Sequence, residues 1–253
     1  MAEGVSCLCL TYGRPELLEE AVESFKRQRW DGPKELIVVN DHPEQELVCE
    51  DEGGEILIVN LKRRLRTLGE KRNFAAALAR YEYLLPWDDD DIHLPWRIEE
   101  TMKSLPGNQF YKCPQVWLEG SGRLLDEPRH DATIFHGAAA YSRYLFREVR
   151  GYRCINGGED QDFERRVREN PLLNKYWRLT VLPLYRIFMI VRRNHGHYHA
   201  SAVMDLRVIN PRVSAGQYRL RPRWKKDYCA EVRQKVDRLN HLQEMARGAG
   251  ADR

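Results

Sequence analysis

The chain has 253 residues, of which 42% are hydrophobic and 31% charged, and this composition excludes two classes of protein. A disordered chain is excluded because a chain of this length and apolar content can bury a sizeable core. A membrane-spanning chain is not expected, because a spanning helix needs about 20 mostly apolar residues. The longest apolar stretch, residues 181–191, is shorter than that and contains Arg186.

Charge is spread unevenly along the chain, whose net charge is +3. Residues 212–253 contain 11 Lys or Arg against 5 Asp or Glu, a net charge of +6, which leaves −3 for the rest. Such a basic segment can bind nucleic acid, an anionic membrane surface or an acidic partner, or it can be the solvated face of a helix.

Six cysteines are scattered along the chain, and none forms a Cys-x-x-Cys pair. Cys7 and Cys9 are two residues apart in an apolar run, where a strand would point both side chains to one face. We expect buried free thiols rather than a metal site. The N-terminus lacks the basic-then-apolar pattern of a secretory signal, so we expect a reducing, cytoplasmic setting.

Predicted strands and helices alternate through the first hundred residues. One helix is predicted from Pro15, which suits a first helical turn, and another over residues 69–83. This order predicts an α/β fold with a mostly parallel sheet flanked by helices. Short apolar runs predict the buried strands at residues 5–10, 36–39, 56–60 and 83–87.

Charge and apolar spacing indicate the helices near the two ends of the chain. Glu16, Glu19 and Glu20 lie near the start of the first helix, where acidic side chains suit the helix dipole. Apolar residues recur at helical spacing over residues 225–247, and barely three heptads favour packing on the same domain over a coiled coil. The stretches between are predicted as helices near 143–149 and at 160–168, and as one or two strands within 179–191.

Polar residues follow three of the predicted strands, at residues 11–14, 40–41 and 88–91. Ligands of α/β sheets bind at the carboxyl ends of the strands, so the three clusters could converge on one pocket. The last cluster consists of four consecutive aspartates, whose mutual repulsion a divalent cation would relieve. In an extended segment Asp88 and Asp90 would face one way and Asp89 and Asp91 the other. The alternative is a solvated acidic loop that caps the next helix.

Three further clusters could carry chemistry. Gly157 and Gly158 precede residues 159–162, a run with three acids that could position a carboxylate or simply cap a helix. His195, His197 and His199 could reach one metal ion from a strand. Basic side chains that could hold a diphosphate, or lie on a solvated face, are Lys62, Arg63, Arg64, Arg66, Lys71 and Arg72.

At these residues the chain resembles the family-2 glycosyltransferases. The similar segments run in the family's order, and the resemblance covers roughly residues 4–205. It implies the GT-A fold, a Rossmann-like, mostly parallel sheet flanked by helices, followed here by a basic C-terminal helical extension. It also implies a nucleotide-sugar donor, usually a UDP-sugar, inversion at the anomeric carbon, and Mn²⁺ or Mg²⁺ as cofactor. The segments are residues 10–15, 38–41, 69–73, 87–95 and 158–163, with Arg166 following.

The resemblance also implies roles for particular residues. Asp41 would hydrogen-bond the uracil, Asp90 would bind the metal ion, and Asp160, beside Glu159, would be the general base. The metal site would be completed by His195 or His197. The nucleotide-sugar would be bound by Thr11, Tyr12, Arg14, Asp41, Lys71, Arg72, Asp88 and Asp89. Candidate contacts to the acceptor or phosphate are Trp87, Gly158 and Arg166.

The resemblance predicts a domain organisation and a single transfer. Residues 1–211 are expected to form the glycosyltransferase domain, with a nucleotide-sugar half at 1–104 and an acceptor and catalytic-base half at 105–211. Residues 212–253 would be the basic extension. The Gln-x-x-Arg-Trp pattern of processive synthases is absent, because Gln217 and Trp224 are too far apart.

Several alternatives stay open for the acceptor and the reaction. The acceptor hydroxyl could belong to a saccharide, a lipid-linked sugar, a protein or a small molecule. A hydroxymethylated DNA base is a further alternative, suggested by the Arg-rich tail with Tyr218 and Trp224 interleaved. A nucleotidyltransferase would need a glycine-rich loop after the first strand, where residues 11–14 hold one glycine. A non-catalytic binding module would leave the four aspartates unexplained.

Overall fold

The structure is a computed structural model that describes residues 4–51, 53–192 and 215–251. Strands and helices alternate through the first hundred residues, as the sequence predicts. In chain order they are β1 (Val5–Thr11), α1 (Pro15–Lys26), β2 (Lys34–Asn40), β3 (Gln45–Val48), β4 (Ile56–Asn60), α2 (Leu68–Leu78), β5 (Tyr83–Pro86), β6 (Ile92–His93) and α3 (Arg97–Ser104).

The second half has shorter strands. They are β7 (Phe110–Lys112), β8 (Gln115–Gly120), β9 (Arg123–Leu124), β10 (Arg129–His130), β11 (Ala139–Ser142), β12 (Trp177–Leu179), β13 (Met189–Arg192) and β14 (Gly216–Arg219). The helices are α4 (Arg143–Glu148), α5 (Glu159–Glu169) and α6 (Tyr228–Ala251). Three short 3-10 turns at His136–Ala138, Asn174–Tyr176 and Leu184–Arg186 complete the described elements.

The largest sheet has seven strands in the order β12-β7-β11-β5-β1-β2-β4. The pairs β5–β1, β1–β2 and β2–β4 are parallel, whereas β11 runs antiparallel to both of its neighbours. The predicted α/β fold with a mostly parallel sheet is therefore confirmed. The carboxyl ends of β1, β2 and β5 meet at one edge, as the three polar clusters required.

A second sheet, in the order β10-β8-β13-β6 with β9 on β8, was not predicted. Its strand β6 is two residues long, immediately after the aspartates, and pairs with β13 through Ile92 and His93. This pairing ties the chain after the four aspartates to a strand a hundred residues away. Such short strands have no periodicity that a sequence can reveal.

Apolar side chains alternate along β1 and bury the two faces of the large sheet. Cys7 and Cys9 lie in the cluster that contains Phe25 of α1, whereas Leu8 and Leu10 lie in the cluster with α2. Both thiols are fully buried and all six cysteines are free, as expected. Burial raises the pKa of Cys7 to about 12, so this thiol stays protonated.

Helix α2 corrects the predicted range of residues 69–83. It starts after Thr67, whose hydroxyl accepts a hydrogen bond from the Glu70 amide at 3.0 Å, and it ends at Leu78. Beyond its end, two backbone amides donate to side chains of other segments instead of to carbonyls of the helix. The Arg80 amide donates to Glu35 at 2.7 Å and the Tyr81 amide to Ser6 Oγ at 3.2 Å.

The C-terminal extension folds back onto the rest of the chain. Its first described element is a strand, β14, which pairs in parallel with β3, whereas only a helical extension was predicted. Helix α6 then buries Tyr228, Val232 and Val236 against Trp117 and Ile190, in agreement with the expected packing on the same domain. None of the helices in the described ranges is long and apolar enough to cross a membrane.

Candidate functional site

A cavity of about 360 Å³ opens at the carboxyl ends of β1 and β5. The chain after β1 contributes Arg14, the chain after β5 contributes the aspartates, and α5 contributes Asp160 from the other side. In α/β sheets this edge is where ligands bind. The cavity is lined by Leu10, Arg14, Leu68, Arg72, Asp88–Asp91, Ile134–Gly137, Asp160, Met189, Val191 and Arg192.

The acidic loop, Asp88–Asp91, is a turn in which the Asp91 amide donates to the Asp88 carbonyl at 3.4 Å, and not the extended segment considered from the sequence. Asp89 and Asp91 are buried, with 1% and 6% of their surface exposed, whereas Asp88 and Asp90 are half-buried at the cavity. Arg14 joins a buried and a half-buried member of the loop, since it pairs with Asp89 and donates from Nη1 to Asp90 at 2.8 Å. All four aspartates line the cavity, and Asp88 and Asp90 are the more exposed of them.

Burial makes the acidic loop electrostatically costly. It raises the pKa of Asp89 to about 6, against the opposing effect of Arg14, and it raises the pKa of Asp91 well above the ordinary value. The neighbouring carboxylates add to both shifts. A site that concentrates negative charge in this way favours a bound cation.

The donor set fits a hard divalent cation. Asp88 and Asp90 offer carboxylate oxygens, which Mg²⁺ and Mn²⁺ prefer. Within residues 4–51, 53–192 and 215–251, no three His, Cys, Asp or Glu side chains converge as a metal cage. Ligand phosphate oxygens and water would then complete the coordination, as is usual for Mg²⁺. His195, His197 and His199 lie outside the described residues.

Two left-handed glycines set the start of α5. Gly157 and Gly158 have φ values of 79° and 77°, which glycine adopts without steric cost. The turn places Asp160 on the cavity wall, while Glu159, 2% exposed, accepts a hydrogen bond from Arg72 Nε at 2.9 Å. Gly158 is the N-cap residue, and no side chain caps the helix. Asp160 is therefore the acid that faces the cavity.

The electrostatic surroundings of Asp160 favour its ionised form. Burial alone would raise the pKa of this carboxyl, but His136 and Arg72 outweigh burial and lower the pKa below its ordinary value. The Gln161 amide adds a hydrogen bond to Oδ1 at 2.8 Å. Asp160 is thus a carboxylate at neutral pH and can accept a proton.

A buried hydrogen-bonded network lies behind Asp160, and the sequence analysis missed it. Glu164, one helical turn after Asp160, accepts from Lys112 Nζ at 2.8 and 2.9 Å and bonds His136 Nδ1 at 2.7 Å. His136 Nε2 lies 2.6 Å from the Tyr152 hydroxyl. The spacing of Glu164 from Asp160, four residues on one helix face, was the one available signal.

Four of the predicted nucleotide-binding residues lie beside the cavity but do not line it. Lys71 is fully buried and donates to the Thr11 carbonyl at 2.6 Å and to Asp41, whose other oxygen accepts from the Leu65 amide at 3.1 Å. Tyr12 packs on His42 with ring centroids 4.8 Å apart. In this arrangement Asp41 and Lys71 neutralise each other, and the roles implied for all four stay predictions.

The candidate acceptor contacts are placed differently from one another. Trp87 is fully buried and its indole N–H donates to the Ala21 carbonyl at 3.0 Å, inside the core. Arg166 binds Asp162 and the Gly151 carbonyl, each at 2.7 Å. Neither side chain lines the cavity, and the contacts implied for them stay predictions. Of the basic residues 62–66, Lys62, Arg63 and Arg66 are exposed.

Solved structures share this fold. The S. aureus TarS fragment 1–349 in complex with UDP-GlcNAc aligns with a TM-score of 0.59 at 16% identity, covering 79% of this chain and 62% of that one. The mannosyltransferase PcManGT from Pyrobaculum calidifontis, in complex with GDP-Man and Mn²⁺, aligns with a TM-score of 0.52 at 17% identity, covering 79% and 59%. The fold is that of the GT-A glycosyltransferases.

Sequence comparison defines the family. Residues 6–159, well over half of the chain, match glycosyl transferase family 2, and the chain belongs to this family. An uncharacterised glycosyltransferase of Methanocaldococcus jannaschii is 29% identical over 157 residues, which is 58% of this chain and 50% of that protein. The chain thus spans half the length of this relative.

Proposed function

We propose that the chain transfers one sugar from a nucleotide-sugar, with a UDP-sugar as the first candidate, to an acceptor hydroxyl, with a divalent cation and inversion at the anomeric carbon. The observation that carries the proposal is the cavity itself. It brings Asp88 and Asp90 together with Asp160, although 70 residues or more separate them in sequence. The nucleotide-sugars bound by the TarS and PcManGT proteins support a donor of this class.

The donor diphosphate would lie against the acidic loop. A cation held by Asp88 and Asp90 would supply positive charge to the departing diphosphate. Arg72 and Arg192 line the same cavity and provide fixed positive charge that needs no reorganisation during the reaction. Arg14 pairs with Asp89 and Asp90 and so holds one of the two proposed cation ligands, Asp90, in place.

Asp160 would act as the general base. An acceptor hydroxyl within hydrogen-bond reach gives its proton to the Asp160 carboxylate while its oxygen forms a bond to the anomeric carbon. The bond from that carbon to the diphosphate oxygen breaks, and the diphosphate leaves with the electron pair. Attack opposite the leaving group inverts the configuration. The lowered pKa of Asp160 keeps the base ionised before each turnover.

The first experiment identifies the donor. UDP, GDP and their sugars are added with and without Mn²⁺, and the melting temperature is measured, because a ligand that binds the native state raises it. We expect a Mn²⁺-dependent increase with one nucleotide. The absence of any increase over the whole panel would contradict the proposal.

The second experiment tests the base. Asp160→Asn removes the proton acceptor and keeps the shape, so we expect sugar transfer to fall by about 10²-fold to 10⁴-fold while nucleotide binding persists. The matched control is Glu169→Gln, an exposed carboxylate on the same helix that pairs with Arg165. Transfer and donor hydrolysis that both survive in Asp160→Asn would overturn the assignment.

A further inference from the structure

The C-terminal extension covers one face of α1, the helix that follows β1. Glu19 accepts the Arg221 amide at 2.8 Å, and Ser24 Oγ accepts the Trp224 indole N–H at 3.0 Å. Trp224 also lies under Arg27, whose guanidinium is 4.4 Å from the ring centroid. Polar groups of α1 are therefore used to hold a segment about 200 residues away in sequence.

Glu20 lies at the centre of this contact. Its side chain is 1% exposed, and its Oε1 accepts the Lys225 amide at 3.0 Å and the Tyr228 hydroxyl at 2.8 Å. Its Oε2 pairs with Arg192, the last described residue of β13. One buried carboxylate thus joins the extension, α1 and β13.

Arg192 continues the connection to the acidic loop. Its guanidinium Nε donates to the Asp90 carbonyl, and its backbone amide donates to Asp91 Oδ1 at 3.3 Å. Its side chain is 2% exposed and lines the catalytic cavity. The Glu20–Arg192 pair therefore links the extension to the backbone and to one buried side chain of the acidic loop.

From these contacts we propose that Glu20 and Arg192 are positioning residues for the acidic loop, and that the C-terminal extension is part of the catalytic unit because it holds this pair in place. Arg192 and the extension both lie beyond residues 6–159, the part that matches the family. The role in catalysis rests on the proposed function, whereas the mechanical coupling does not depend on it.

The physical argument concerns what fixes the loop. Two of its carboxylates face the cavity and repel each other, so fixed donors must hold the backbone at the spacing a cation needs. Arg192 supplies two such donors, and its buried charge is balanced by Glu20. Glu20 in turn is oriented by hydrogen bonds from Lys225 and Tyr228. Loosening the extension should therefore loosen the loop.

The test uses Tyr228→Phe, which removes one donor to Glu20 and keeps the ring in the core. Hydrogen exchange is measured by mass spectrometry on the full chain without ligand. We expect exchange in the peptide covering residues 88–93 to accelerate about threefold to tenfold, because part of the free energy of the lost hydrogen bond to Glu20 is transmitted to the loop. Exchange in β2, on the other side of β1, should stay unchanged.

A matched control and a second variant complete the test. Lys235→Ala removes an ion pair between α6 and Asp126, away from Glu20, and should leave exchange at residues 88–93 unchanged. Glu20→Gln removes the charge that balances Arg192, and should give a larger acceleration than Tyr228→Phe. Acceleration that is equal in all peptides would mean a loss of global stability only and would overturn the proposal. Unchanged exchange at residues 88–93 in both Tyr228→Phe and Glu20→Gln would also overturn the proposal.

A binding measurement separates this proposal from the proposed function. Calorimetry with UDP and Mn²⁺, or with GDP and Mn²⁺ if UDP does not bind, should give a dissociation constant about threefold to tenfold higher for Tyr228→Phe than for the wild type or Lys235→Ala. If the wild type binds neither nucleotide, the proposed function fails, and the exchange experiment still decides the coupling. Weaker exchange protection with unchanged nucleotide binding would overturn the positioning role.

Discussion

The acidic loop and the basic C-terminal extension are the two most charged segments of the chain, and the structure uses their charges in different ways. In the loop, Asp88 and Asp90 are half-buried at a cavity where they can act on a ligand, and Asp90 also pairs with Arg14. In the extension, cations are paired with carboxylates of the body, as in Lys225–Glu20, Lys226–Glu119, Lys235–Asp126 and Arg219–Glu50. A run of charge is therefore informative about function only after its partners are known.

The largest effect on activity is expected from a change in the acidic loop. Asp90→Asn removes a carboxylate that would hold the cation, and we expect kcat/KM to fall about 10²-fold to 10³-fold, because the charge that stabilises the leaving group is worth several kcal/mol. Initial rates over a Mn²⁺ titration measure the effect. Asp126→Asn, an exposed carboxylate that pairs with the extension, is the control and should retain wild-type activity. Equal losses of kcat/KM in Asp90→Asn and Asp126→Asn would contradict the distinction between carboxylates that act on a ligand and carboxylates that pair with the extension.

Cations of the extension whose side chains do not contact Glu20, such as Lys226, should affect stability instead of catalysis. Lys226 is half-buried and donates to the Gly122 carbonyl at 2.8 Å besides its ion pair with Glu119. Lys226→Met should lower the free energy of unfolding by about 1–2 kcal/mol, because Glu119 is left buried without its charged donor. Urea unfolding measures this loss, and transfer activity below the melting transition should stay within about twofold. A catalytic defect with wild-type stability would contradict the assignment.

The sequence predicted those parts of the molecule that depend on neighbouring residues. Strand β4 occupies residues 56–60 as predicted, because its apolar run is bounded by turn residues. The cavity at the strand ends could be predicted since parallel strands bring their carboxyl ends together. Local pattern and topology were sufficient for these features.

Contacts between distant segments could not be predicted, and they complete the site. Glu19 and Glu20 were interpreted as acids that suit the dipole of α1, yet they accept hydrogen bonds from residues 218–228. Lys112 and His136 lie in a region without a motif, and they meet Glu164, just after the segment 158–163, only in the fold. No periodicity or spacing records such pairings. An acidic residue beside the apolar stripe of an amphipathic helix, such as Glu20, is the kind of signal that indicates a buried partner.

A smaller effect is expected where a paired cation acts on the cavity through its charge. His136 and Arg72 both lower the pKa of Asp160, so Arg72→Gln should move the acid limb of the kcat/KM profile to higher pH. The lowered pKa also means that ionised Asp160 stabilises the fold at neutral pH, and this stability is lost as the pH falls through the folded-state pKa. Arg165→Gln, on the exposed side of the same helix as Asp160, should leave the limb unchanged. An unmoved limb in Arg72→Gln would show that Arg72 does not set the ionisation of the base.

The smallest effect is expected at the exposed arginines of the extension. Arg221 and Arg223 are exposed, and a DNA acceptor would need cations of this kind for its phosphates. Lys225, Lys226 and Lys235 are paired with carboxylates of the body, so we expect the extension to serve the structure and not to bind DNA. The double variant Arg221→Gln, Arg223→Gln should then change the free energy of unfolding by less than about 0.5 kcal/mol. Duplex DNA at low salt should then migrate equally with the wild type and the double variant. The opposite result would be that the wild type retards the DNA and the double variant does not, with the salt dependence of the binding constant reduced by about two. In that case the extension would bind nucleic acid, and its charges would act on a ligand as those of the acidic loop do.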